Sequence, residues 1–220
     1  MEAEPFDLLC QQARQAMAQG ETARARELLT QALRLRPDAP DVHNGLATVS
    51  FLLDDLENAA YHFREVTRQD PLRAGAYVNL GAVLNRLGDY PEAIQSLKRG
   101  IQLDPQRAEG YYNLGLVYKN TGQLNLASKA YKEATRHDPR MIDAHFNLAN
   151  LYLETQKYDK AVQRYQEVLQ LRPGWDKALQ GLEQAEAALA GRRAEAAAGA
   201  QSAPPAEPAP KPAPDLQGQV

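Results

Sequence analysis

The sequence predicts an all-α solenoid: five helical hairpins, a C-terminal capping helix, and a disordered Pro- and Ala-rich tail. Three observations predict it. Pro37, Pro71, Pro105, Pro139 and Pro173 stand 34 residues apart. Within each period, small residues return at two fixed positions. Apolar residues fall three and four apart on either side of a turn, the spacing of one helix face. A period of this length is one helix pair, which buries its apolar face only by stacking on its neighbours.

With each proline at position 32, the units run 6–39, 40–73, 74–107, 108–141 and 142–175, after an N-terminal extension of residues 1–5. Position 8 is Ala13, Ala47, Gly81, Gly115 and Ala149, and position 20 is Ala25, Ala59, Ala93, Ala127 and Ala161. Position 7 is Leu46, Leu80, Leu114 and Leu148, with Gln12 in the first unit. Position 24 is Leu29, Phe63, Leu97, Tyr131 and Tyr165. Positions 4, 7, 8 and 11 form one stripe of a first helix, and 20, 24 and 27 one stripe of a second. Two helices approach closely only where side chains are small. Positions 8 and 20 supply this, and the larger residues fill the space around them.

Position 15 falls in the turn of each hairpin. Gly20, Gly88 and Gly122 suit a left-handed helix C-cap there. Asp54 and Gln156 replace glycine in units two and five and predict turns of a different shape. Proline at position 32 stops each second helix.

A capping helix is predicted over 176–190. Leu179 and Leu182 continue the apolar stripe, and Glu183 and Glu186 stand where small and aromatic residues stand elsewhere, so one face packs and the other is wet. Residues 191–220 read as the disordered tail. It is Ala-rich at first and then holds Pro204, Pro205, Pro208, Pro210, Pro212 and Pro214. Such a segment favours extended polyproline II. It reads as a ligand for a proline-binding domain, as a tether, or as an inert linker.

Composition excludes several classes. A net charge of −3 gives no drive toward phosphate backbones, so nucleic-acid binding is not expected. There is no apolar run of membrane-spanning length and no leader pattern at the acidic N-terminus, so no membrane insertion and a cytoplasmic location are expected. Cys10, the only cysteine, allows neither an intrachain disulfide nor a Cys-based metal site. It reads as a reactive thiol or as a small residue on the first helix. None of His43, His62, His137 and His145 pairs at the spacing of a helical metal site. His43 and His145 share position 4, an inner packing position. With no phosphate loop, nucleophile elbow or zinc motif, the sequence predicts no catalytic residues, no metal and no cofactor. Asp7, Asp41, Glu109 and Asp143 all stand at position 2, in the first turn of a helix, where they complement its dipole.

Tyr111-Tyr112-Asn113-Leu114-Gly115-Leu116-Val117-Tyr118, followed by Gly122, Ala127, Tyr131, Ala134 and Pro139, resembles the consensus of the tetratricopeptide repeat (TPR) family. The resemblance covers 6–175. It implies an α-α superhelix whose first helices line a concave groove, exposing positions 2, 5, 6, 9, 12 and 13. It also implies a non-catalytic adaptor or scaffold, a protein-protein interaction module whose protein or peptide partner is of unknown identity. Position 6 is Asn79, Asn113 and Asn147 in three consecutive units, and Asn85, Asn120 and Asn150 join them at other groove positions. Asparagine costs a helix roughly 0.6 kcal/mol against alanine, so six of them point to a compensating use. An amide offers two donors and an acceptor to an extended peptide backbone. A ladder of this kind resembles that in the TPR domain of O-linked N-acetylglucosamine transferases. The alternative is that the amides bond only the neighbouring turn or repeat.

Tyr112 and Phe146, at position 5, offer apolar contacts beside the ladder or pack between helices. Arg86 and Lys119 attract an acidic ligand group or are solvated. The lysine and arginine with which chaperone-binding members hold a terminal carboxylate are missing from positions 2 and 6, so a co-chaperone of that type is not expected. Two rival readings remain. One is a self-assembling structural scaffold with weak self-association. The other is an accessory module recruiting substrate to a partner enzyme.

Overall fold

The computed structural model describes residues 4–201, which form eleven helices and no strand. Five hairpins follow one another: α1 (Pro5–Ala18) with α2 (Thr22–Leu35), α3 (Pro40–Leu52) with α4 (Leu56–Gln69), α5 (Ala74–Leu87) with α6 (Tyr90–Leu103), α7 (Ala108–Asn120) with α8 (Leu124–His137), and α9 (Ile142–Glu154) with α10 (Tyr158–Leu171). A long α11 (Asp176–Gln201) packs on α10 and touches α9. Each second helix ends two residues before its proline, as the ring's missing N–H and its clash with the preceding turn require. Pro40 opens α3 at the one place in a helix where proline costs nothing. Asp55 and Asp89 cap α4 and α6, accepting from the backbone N–H of Asn58 and Glu92.

The small-residue seam lies at the centre of every hairpin. All eight alanines at positions 8 and 20 are 0% exposed. A Cβ on Gly115 would lie 2.6 Å from the Tyr131 ring, and one on Gly81 would strike Leu97. Helix proximity is therefore set by the absence of a side chain on one helix and the bulk of position 24 on the other. Leu46, Leu80, Leu114 and Leu148 are buried, whereas Gln12 is exposed, which leaves the first hairpin with one wet face.

The turns of units two and five differ from expectation. Asp54 has φ 61° and Gln156 φ 56°, close to the left-handed glycines Gly20, Gly88 and Gly122 at 76°, 80° and 73°. All five turns also share one hydrogen bond, from the residue after position 15 back to a carbonyl in the last turn of the first helix: Glu21 to Ala16, Asp55 to Ser50, Asp89 to Leu84, Gln123 to Tyr118 and Lys157 to Tyr152, at 2.8–3.0 Å. Hairpin packing fixes the turn, and the aspartate and glutamine accept a conformation that their own preferences oppose.

The junctions between hairpins carry a second repeated bond. Nε2–H of His43 donates to the Pro37 carbonyl at 3.0 Å, the Tyr111 hydroxyl to the Pro105 carbonyl at 3.2 Å, and Nε2–H of His145 to the Pro139 carbonyl at 3.1 Å. Position 4 thus pins each of these first helices to the proline turn before it. With its Nε2 proton so engaged, His43 accepts at Nδ1 from Nδ1–H of His62, 2.9 Å away. His145 uses its Nδ1 on the Glu167 carboxylate at 3.0 Å.

The capping helix is longer than the sequence suggests. It does not stop at 190 but continues through Gln201, because alanine, glutamate and arginine over 191–200 are all good helix formers. Arg192 donates to the Gln156 carbonyl at 3.1 Å and Arg193 pairs with Asp159 at 3.4 Å. These contacts tie the helix to the last hairpin. Glu183 and Glu186 are exposed, on the face that a further second helix would cover. The part of the expected disordered tail from 202 to 220 lies outside the described residues. Among the described residues no helix is long and apolar enough to cross a membrane, and no three His, Cys, Asp or Glu side chains gather to hold a metal ion.

Candidate functional site

Position 6 and its neighbours lie along adjoining first helices. Nδ2–H of Asn120 in α7 donates to Oδ1 of Asn85 in α5 at 2.9 Å, and Nδ2–H of Asn147 in α9 donates to the Tyr112 hydroxyl in α7 at 3.3 Å. The six asparagines of this surface divide into distinct roles. Asn85 and Asn120 bond each other. Asn150 accepts from the Tyr165 hydroxyl at 2.5 Å. Asn147 spends its amide protons on Tyr112 and on the Asp143 carbonyl at 2.9 Å, leaving its oxygen open. Only Asn79, exposed, and Asn113, half-buried, make no side-chain hydrogen bond among the described residues.

The other candidates also separate. Arg86 pairs with Asp54 and lies over the Phe51 ring, 4.9 Å from its centroid, so it fastens unit three to unit two. Lys119 is half-buried and makes no ion pair among the described residues. Tyr112 is half-buried. Burial pushes its phenol pKa up, the Asp143 charge adds to this, and the bond from Asn147 opposes it. Phe146 packs on Trp175, ring centroids 4.5 Å apart, and edge-on to Tyr165 at 6.1 Å.

Tyr131 and Tyr165, both at position 24, differ in what position 9 offers their hydroxyls. The Tyr131 hydroxyl is buried with no partner, and burial raises its pKa strongly. Tyr165, one unit later, bonds Asn150 at position 9. The same place in unit four holds Leu116, which offers the Tyr131 hydroxyl nothing.

The surface opens unevenly. A cleft of about 140 Å³ beside Asn79 is bounded by Thr48, Phe51 and Phe63. At the C-terminal end, Phe146, Asn150, Leu153 and Tyr165 face Lys177, Gly181 and Gln184 of α11 across about 400 Å³. A Cβ on Gly181 would collide with the Tyr165 ring, so glycine lets α11 lie against it. A larger opening, about 950 Å³, lies at the other end between α1 and α3, lined by Phe6, Cys10, Arg14, Met17, Leu29 and Asn44. Sequence reasoning missed this cleft. Its signal is Gly45 at position 6, where later units hold asparagine. Leu29 rises to 3.0 Å from where a Gly45 Cβ would be. Cys10 is half-buried there, and burial raises its thiol pKa, with the Arg14 charge opposing. That suppresses the thiolate a reactive cysteine needs. Size therefore points to the N-terminal end and unbonded amides to the middle. Donors and acceptors give direction to a bound backbone that volume alone does not, so the amides weigh more.

A run of helix pairs, each packed on the next, is an α-solenoid. The chain belongs to the tetratricopeptide repeat family: residues 10–74 and 112–174 match that family, and residues 83–122 match a second TPR repeat pattern. Proteins of this family generally mediate protein–protein interactions through a non-catalytic fold. Solved structures agree. PilF of Pseudomonas aeruginosa superposes with a TM-score of 0.75 at 25% identity, over 90% of this chain and 90% of that one. MamA of Desulfovibrio magneticus RS-1 gives 0.71 at 23% identity, over 80% of this chain and 99% of that one. YrrB, described as a TPR protein with an unusual peptide-binding site, gives 0.65 at 23% identity, over 80% and 90% of the two chains. These likenesses are likenesses of fold.

Proposed function

We propose that this chain is a non-catalytic adaptor that holds an extended segment of a partner protein in its groove, mainly along units three to five. The observation that carries this reading is the pair of unbonded amides on Asn79 and Asn113, one 34-residue period apart on neighbouring first helices. Packed helices stand about 8–10 Å apart, and an extended chain rises about 3.3 Å per residue. One amide per unit therefore meets about every third residue of a bound backbone. Tyr112 and Phe146 supply apolar surface beside it, Lys119 a cation, and the open oxygen of Asn147 an acceptor. Rigid hairpins hold these groups in place before binding, which lowers the ordering cost of association. The peptide-binding site described for YrrB, on a similar fold, lends further support.

The test compares the native chain with Asn79→Ala/Asn113→Ala/Asn147→Ala in selection from a displayed library of random linear peptides. Peptides enriched by the native chain should be lost by the triple variant while its circular dichroism stays helical. Equal enrichment by both proteins would assign the amides a structural role only.

A further inference from the structure

The cleft between α1 and α3 holds groups that the amide groove does not use. Along α1 it runs from Phe6 to Met17, about 16 Å at 1.5 Å per residue. Phe6, Cys10, Met17 and Gly45 are half-buried and leave apolar wall open to a ligand. Gly45 makes the room. Units three to five place an asparagine side chain at that position, whereas here Leu29 comes within 3.0 Å of where a Cβ would be.

Charge divides the cleft along its length. Asp7 and Asp38 stand at the end beside the turn that holds Pro37 and Pro40, and Arg14 stands two turns further along α1. All three are exposed, and none makes an ion pair among the described residues. The other charges of the wall are already matched: Asp41 by Arg73 at 2.8 Å, and Arg36 by Glu4 and by the Phe6 ring, 4.1 Å from its centroid. Arg14 stands at position 9, where later units hold the uncharged Thr48, Ala82, Leu116 and Asn150. We propose that this cleft binds an extended segment of a partner protein that carries a basic and an acidic side chain about three residues apart, with a large apolar side chain between them. The basic group meets Asp7 and Asp38, the apolar side chain enters over Cys10 and Gly45, and the carboxylate pairs with Arg14.

The lengths agree. From Asp7 to Arg14 the helix rises about 10 Å, and three residues of extended chain span the same distance at about 3.3 Å each. Thr48, at position 9 like Arg14, lines both this cleft and the smaller one beside Asn79. A segment leaving at the Arg14 end therefore passes on to the Asn79 amide. Only that continuation rests on the adaptor reading. Backbone amides read no side chains, and the cleft supplies the sequence preference that they lack.

The test uses the full chain and two end-blocked tetrapeptides, acetyl-Lys-Phe-Ala-Glu-amide and the reverse sequence acetyl-Glu-Ala-Phe-Lys-amide, one for each chain direction. Cys10 is the only thiol in the chain and lines the cleft, so the rate at which a maleimide modifies it reports occupancy. One of the two peptides should slow that rate. An analogue with alanine in place of phenylalanine should bind about tenfold more weakly or worse, the difference made by burying the ring. Gly45→Asn, which puts the side chain of later units into the cleft, should abolish the protection while circular dichroism stays helical. Arg14→Glu changes an exposed residue and does not threaten the fold. It should weaken protection about fivefold, and a peptide with lysine in place of glutamate should recover it. Each variant is compared with itself without peptide, because the Arg14 charge also acts on the thiol. Protection by neither peptide would overturn the proposal. So would protection that the alanine analogue matches, or that either variant leaves unchanged. The tetrapeptides bind without the asparagine ladder, so Asn79→Ala/Asn113→Ala/Asn147→Ala should leave the protection intact, and the adaptor reading and this one fail separately.

Discussion

Gly115 and Tyr131 touch across the seam of the fourth hairpin with no room for even one added carbon: a Cβ on Gly115 would lie 2.6 Å from the ring. Tyr131 is 0% exposed and has nowhere to retreat. Gly115→Ala should therefore lower stability by about 1–3 kcal/mol, the usual cost of overpacking, despite alanine's better helix propensity. Adding Tyr131→Leu recreates the Ala13–Leu29 pairing of the first unit and should recover part of the loss. Urea denaturation of both variants checks the pair, and a Gly115→Ala variant as stable as the native chain would show that the seam has slack.

His62 gives the fold an acid sensitivity. Burial and, after it, the nearby His43 lower its pKa from 6.5 to about 4, with Glu65 and Asp55 opposing weakly. The unfolded chain then binds this proton near pH 6.5 and the folded chain only near 4. The contribution to stability is full above 6.5 and is lost as pH falls toward 4. The drop corresponds to about 3 kcal/mol at most, at 1.36 kcal/mol per unit, less what solvent around the partly exposed ring screens. Thermal midpoints at pH 7 and pH 5 should differ more for the native chain than for His62→Gln, which keeps a donor for His43. Equal slopes would remove His62 as the cause.

Gln156 holds a left-handed backbone without being glycine. Its carbonyl accepts from Arg192, a bond that does not depend on the side chain. Gln156→Gly should relieve a strain of about 1–2 kcal/mol and lose part of it to the freer unfolded chain, for a net gain of roughly 0.5–1 kcal/mol. Asp54→Gly should gain less, because it also removes the partner of Arg86. Chemical denaturation of the two variants checks the order.

The asparagines of the groove should respond in opposite directions. Asn113→Ala removes no bond and should stabilise by about 0.5 kcal/mol through helix propensity. Asn147→Ala breaks two bonds, one of them to the half-buried Tyr112 hydroxyl, and should destabilise by about 0.5–1.5 kcal/mol. Midpoint shifts of the same sign would mean that the amides are equivalent.

The prolines and the alanine seam made the five hairpins readable, because each encodes a local consequence: a helix that must stop and two helices that must meet. The turns at Asp54 and Gln156 were misread because the packing of the whole hairpin imposes a conformation that the residue itself resists. The asparagines were only partly legible for a related reason. Apart from the Asp143 carbonyl that Asn147 bonds within its own helix, their partners stand 15 to 35 residues away, so one residue type is tied to Asn85, to Tyr165 or to nothing according to its neighbours. Residues 191–201 looked like tail because alanine without periodicity buries little, yet alanine alone suffices to extend an existing helix. The cleft at Cys10 needed three segments at once, α1, Leu29 of α2, and Gly45, and no single window of sequence contains that coincidence.

Glu183 and Glu186 have a consequence for how such a chain changes length. Each hairpin touches only its neighbours, so α11 seals whichever unit precedes it and has no stake in how many came before. Duplicating one 34-residue block ahead of Asp176 would lengthen the array and leave the same lid in place, whereas loss of those two carboxylates would leave a bare end open to another molecule. The right to stop is written in two side chains, and the number of storeys beneath them is free to vary.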